Sequence, residues 1–152
     1  MNRIPLPALL VGAAGLLPFA YAVALIFANA GTLPTLGLFA SDRSGGVLIL
    51  ERFGAAILGF MGGCLWGFAA APGRAPTAVL LAGSVVPPVF AALAIRPSPA
   101  LSCLWLAFGF VAVQVIDLLF HRAGIAPPWW PSLRLPLTAG VIACLLTGAL
   151  YG

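Results

Sequence analysis

Five long runs of apolar residues, each free of charge, constrain this chain more than any other feature: 6–28, 53–71, 75–95, 99–116 and 135–152. A helix needs about 20 such residues to cross the hydrocarbon core of a bilayer. Membrane barrels use strands of about ten residues that alternate apolar and polar, whereas these runs are apolar on every face. With their flanking residues they predict an all-α integral membrane protein. It is a bundle of five transmembrane helices at about 6–28, 47–71, 75–95, 99–120 and 135–152 in a single membrane domain over 1–152, with no soluble domain. Soluble domains carry about 25% charged residues. This chain has 7%, against 62% hydrophobic, and its mean hydropathy of +1.15 agrees.

Charge and prolines gather in the breaks, at Ser41–Gly46, Pro72–Pro76, Arg96–Pro99 and His121–Arg134. Short breaks of this kind join antiparallel helices, and the longer segment Gly31–Gly46 is read as a loop lying in the interface. The net charge is +4, but the arginines are scattered, so no nucleic-acid footprint exists. They read as interface anchors against membrane lipids. Cys64, Cys103 and Cys144 are each isolated within apolar runs, and His121 is the single histidine. That set excludes a conventional zinc site and leaves neither metal nor cofactor to expect.

The first run resembles a secretory signal, with Arg3 before it and Ala28-Asn29-Ala30 after it. Its apolar part is longer than the usual 7–15 residues of a signal core, so it is read as a span. Five spans place Arg3, Arg74, Arg122 and Arg134 on one side and Arg43, Arg52 and Arg96 on the other. The small excess puts the N-terminus inside.

Within the spans, Gly59, Gly63 and Gly67 recur every four residues along the second helix. Such a row lets a neighbouring backbone approach closely, either inside the bundle or on a partner. Pro87-Pro88 lies mid-span in the third helix, next to Ser84, and predicts a kink. Glu51 and Asp117 are read as interfacial acids neutralised by arginines. In particular, Asp117 closes the fourth helix and Arg134 precedes the fifth on the same side, so an ion pair joining those helices is expected. Trp129 and Trp130, between Pro128 and Pro131, are read as interface anchors of the aromatic belt. Pro136 is placed in the first turn of the last helix, where its missing donor costs nothing.

These residues resemble a known family. Ile4–Pro18, the segment Phe53-Gly54-Ala55 through Trp66-Gly67, Phe110–Asp117, Pro128-Trp129 and Leu133–Thr138 are similar to the small integral membrane family of unknown function that includes mitochondrial transmembrane protein 69. The sequence departs from the family pattern at Phe53 and at Cys64-Leu65. The resemblance implies a multi-pass inner-membrane protein of bacterial or mitochondrial type, with no established reaction. Lys is absent while Ala, Gly, Pro and Arg are abundant, which fits a GC-rich bacterial genome and hence the bacterial inner (cytoplasmic) membrane.

Function is less constrained. No residue set makes a nucleophile with a base, or a metal site, so the chain is read as a non-enzyme; Asp117 and His121 at i, i+4 are the nearest approach to one. The first functional reading is a structural, accessory or assembly subunit that docks on other membrane protein subunits through its helix faces. The alternative is a binder or transporter of a lipid, quinone or small solute, using the kinked third helix.

Overall fold

The computed structural model describes residues 3–28, 31–32, 41–71 and 77–152. The described residues form six helices: α1 (Leu6–Ala14), α2 (Leu17–Phe27), α3 (Arg43–Ala69), α4 (Ala78–Ala94), α5 (Pro99–Arg122) and α6 (Trp130–Tyr151). Together α1 and α2 are long and apolar enough to cross a membrane, as are α3, α5 and α6. At 17 residues α4 is a shorter apolar helix, about 25 Å at 1.5 Å per residue. The chain is a helical integral membrane bundle. The expected interfacial loop largely lies outside the described residues, as do Arg74 and the start expected for the third span.

Proline and short polar residues set the helix boundaries, and several differ from the expected ones. The first span is broken between α1 and α2, because Pro18 lacks an N–H and its ring crowds the carbonyl of Ala14. The Gly15 N–H closes α1 by donating to the carbonyls of Val11 and Gly12, both at 3.1 Å. The second span starts at Arg43, four residues earlier than expected, because Asp42 caps it. Asp42 Oδ1 accepts from the Gly45 N–H at 2.9 Å and from the Ser44 hydroxyl at 2.7 Å. Those bonds, the Gly45 one foremost, hold the Asp42 carboxyl below its ordinary pKa. The last helix begins at Trp130, with Pro131 in its first turn. Pro136 therefore lies inside α6 rather than at its start, and Arg134 belongs to the helix rather than to the preceding loop.

At the centre of the bundle, α3 packs against α2, α4, α5 and α6. Its buried side runs through Leu50, Gly54, Leu58, Met61, Gly62, Leu65 and Ala69. At Gly62 the fit to α4 is closest. A Cβ there would lie 2.5 Å from both Pro88 Cδ and the Ser84 carbonyl oxygen. Pro88 has no N–H, so that carbonyl has lost its helical donor. The glycine backbone covers it instead, with an α-hydrogen where a side chain would not fit. Helix α4 continues through Pro87-Pro88, and the Ser84 hydroxyl donates to the Leu81 carbonyl at 2.6 Å.

The outward surface is as apolar as the interior: Val79 is 80% exposed, Val11 74% and Leu93 66%. In water such a surface would aggregate, whereas lipid tails are as apolar as leucine. Burial among these helices is therefore a matter of shape and dispersion rather than of hydrophobic drive.

Candidate functional site

Polar side chains sit on facing sides of α5 and α6. On α5, Gln114, Asp117 and His121 are spaced three and four residues apart, which places them along one helix face. On α6, Trp130, Arg134 and Thr138 repeat every four residues. Asp117 is 1% exposed and Arg134 is 6% exposed. Arg134 Nε donates to Asp117 Oδ2 at 3.1 Å, and Trp130 Nε1 donates to Asp117 Oδ1 at 2.8 Å. Both carboxylate oxygens are thus held by α6, and the pair joins α5 to α6. The Arg134 guanidinium also lies over the Trp130 ring, 5.9 Å from its centroid, and Phe68 of α3 meets that ring edge-on at 4.9 Å.

The indole of Trp130 is therefore buried, at 9% exposure, and its N–H is spent on Asp117. Its reading as an interface anchor is corrected: an N–H donor beside a buried carboxylate is worth more than one shared with lipid headgroups. Trp129 is half-buried and meets Trp130 edge-on at 5.9 Å.

Several buried polar atoms along this seam find no hydrogen-bond partner among the described residues: Nε2 and Oε1 of Gln114, Nδ1 of His121, Nη2 of Arg134 and Oγ1 of Thr138. Among the described residues no hydrogen bond joins Asp117 to His121; the carboxylate oxygens are held by Trp130 and Arg134 of α6. The large majority of buried side-chain polar atoms have a hydrogen-bond partner, so this concentration marks a candidate site. Sequence reasoning passed over Gln114 and Thr138; the signal was there, since each is a polar residue at helical spacing from a charged one within an apolar run.

Beside the seam a cavity of about 380 Å³ opens between α1, α2, α3 and α6, within the roughly 300–1,000 Å³ range of ligand pockets. Its wall is almost wholly apolar, from Ala8 and Val11 of α1 through Phe19, Ile57 and Met61 to Leu137 and Val141. Trp129, Trp130 and Cys64 complete it beside Arg134, which carries the charge among the described lining residues. Helix α4 does not line this cavity, and Pro87 is buried in the bundle. The expected ligand site at the third span is thus not part of this cavity, and Pro88 packs against Gly62.

The glycine row needs a correction too. Among the described residues, a Cβ at Gly59 would meet Pro88 Cβ alone, at 3.9 Å, and one at Gly63 or Gly67 would meet nothing within 4 Å. The row does not pack against the described helices. Successive helix residues are rotated by about 100°, and the packed row is the one through Gly62. Other close approaches occur at Gly109, near Leu58 and Phe90, and at Gly148, near Leu50 and Cys103. Glu51 is buried within α3, with Oε2 3.4 Å from Nε of the exposed Arg52.

Fold and site together define a multi-pass helical membrane protein with a buried charge pair beside a largely apolar cavity. The chain belongs to the family described as "Protein of unknown function (DUF3429)", whose model matches residues 4–150. It is similar to transmembrane protein 69 of Mus musculus, with 30% identity over 141 residues covering 88% of this chain and 51% of that protein. Transmembrane protein 69 of Xenopus tropicalis is 30% identical over 160 residues, covering 99% of this chain and 58% of the relative. The chain thus spans about half the length of the curated relatives it matches. No solved structure matches.

Proposed function

We propose that this protein is a membrane-embedded binding protein, without catalysis of its own, that holds a lipid-like small molecule in the cavity between α1, α2, α3 and α6. The observation that carries the reading is the cavity itself: about 380 Å³ of apolar wall interrupted by the largely buried guanidinium of Arg134. Apolar walls with few polar groups are the usual form of small-molecule sites. The test is extraction in mild detergent followed by mass spectrometry of whatever hydrophobic molecules remain bound. A defined species should accompany the native chain and be lost from Ala8→Phe, a change at the cavity's half-buried edge. Identical bulk lipid on both proteins would refute the reading.

A second role, as an accessory or assembly subunit of a larger complex in a bacterial inner membrane, is supported by the open face at Gly59, Gly63 and Gly67. Small residues at this spacing let helices of different chains approach. Cross-linking in native membranes should then capture defined membrane subunits, and Gly63→Leu should abolish their capture without lowering the stability of the isolated chain. Recovery of the protein alone at monomer size would end this reading.

A further inference from the structure

We infer that the polar group received in this cavity is a neutral carbonyl-type acceptor at the head of an apolar body, hydrogen-bonded by Nη2 of Arg134. The inference rests on the reading of the cavity as a ligand site and adds the chemistry of the occupant. Arg134 lines the cavity, is 6% exposed, and keeps a buried Nη2 that finds no acceptor among the described residues. A guanidinium nitrogen only donates, so the missing partner is an acceptor. An ammonium or other pure donor head is thereby excluded.

Charge decides between the acceptors that remain. Asp117 already neutralises Arg134 through Nε, and its second oxygen is held by Trp130. A carboxylate or phosphate would bring a further negative charge into an apolar site, and no second cation stands among the described lining residues. An unpaired buried charge is far more costly than a buried dipole that gains one charge-assisted bond. A ketone, quinone or ester oxygen meets the unused N–H without that penalty. Trp129 and Trp130 also line the wall, and the half-buried indole of Trp129 offers an aromatic surface against which a planar head can pack. A quinone ring and the ester of a glycerolipid share this acceptor chemistry.

The experiment uses the full chain in nanodiscs and probes of matched decyl chain, dosed by mole fraction in the bilayer: decylubiquinone, decanoate, decylamine and decylbenzene. Binding is read from the shift in thermal unfolding, in discs of ester-linked and of ether-linked phosphatidylcholine. Decylubiquinone should bind more tightly than decanoate or decylamine. Alternatively, ester-linked lipid should stabilise the chain over ether-linked lipid and compete with decylbenzene, which identifies the glycerolipid source. Arg134→Lys keeps the charge opposite Asp117 but loses the fork. It should weaken the preferred carbonyl probe by on the order of tenfold, the worth of one hydrogen bond to a charged donor, and leave decylbenzene unchanged. If that variant fails to fold, the doubly neutral Asp117→Asn with Arg134→Gln serves for the same comparison. Tightest binding by decanoate, or a carbonyl preference that survives both variants, overturns the inference while leaving the cavity as a ligand site. Equal binding of headless and carbonyl probes means that water meets Nη2, and overturns it as well. If no probe shifts unfolding, the cavity reading and the inference fall together.

Discussion

Replacing Gly62 by alanine tests the packing of this bundle at its tightest point. The added Cβ would stand 2.5 Å from Pro88 Cδ and 2.5 Å from the Ser84 carbonyl oxygen. Neither is the free end of a flexible chain, so α4 must retreat by roughly 1 Å to reach the ordinary contact range of about 3.5–4.0 Å. A gap of that size forfeits a quarter to a half of the dispersion energy of the pairs it separates, and overpacking typically costs about 1–3 kcal/mol. Alanine returns about 0.5–1 kcal/mol through its better helix propensity. The net expectation is a loss of about 1–2 kcal/mol. At the adjacent Gly63 no atom of the described residues lies within 4 Å of such a Cβ, so Gly63→Ala should be neutral or gain up to about 1 kcal/mol from propensity alone. Reversible unfolding in mixed dodecyl maltoside and dodecyl sulfate micelles, followed by tryptophan emission, measures both. A Gly62→Ala chain as stable as the native one, or equal losses at the two positions, would refute this account of how α3 meets α4.

Three further outcomes follow from the charge network and the helix cap. Removing Asp117 as Asp117→Ala leaves Arg134 buried without a counter-charge and should cost about 3–5 kcal/mol; the charge swap Asp117→Arg with Arg134→Asp should recover folded yield that either single change loses, and additive losses would count against the pairing. Trp130→Phe keeps the ring against Phe68 but deletes the N–H to Asp117, so a loss of about 1.5–3 kcal/mol is expected in the same unfolding assay. Asp42 has a lowered pKa in the folded chain, so its cap contributes stability above the ordinary carboxylate pKa and loses it as pH falls through the folded value. Asp42→Asn, which still caps, should flatten this part of the acid limb relative to the native chain; an unchanged limb would show that the cap is not linked to protonation.

Much of the architecture was legible without coordinates. Membrane crossing depends on the length and polarity of each segment taken alone, so α3, α5, α6 and the joined α1–α2 could be placed from apolar runs and their charged breaks. The short break between the last two runs likewise implied that Asp117 and Arg134 lie near the joined ends of α5 and α6, where they meet. Boundaries were harder, since the cap at Asp42 and the early start of α6 depend on a few local hydrogen bonds rather than on hydropathy.

What the linear order does not contain is the rotation of each helix about its axis. Gly59, Gly63 and Gly67 make the more regular row, yet α3 turns the neighbouring Gly62 toward α4, because Pro88 and the freed Ser84 carbonyl offer the complementary surface there. Trp130 looks like a headgroup anchor beside Trp129, but one turn of α6 brings its N–H to an oxygen of Asp117. The cavity needs walls from four helices, and no single segment announces it. Apolarity determined which segments enter the membrane; shape and a few buried donors decided which faces meet, because in lipid every face is equally apolar and hydropathy cannot choose among them.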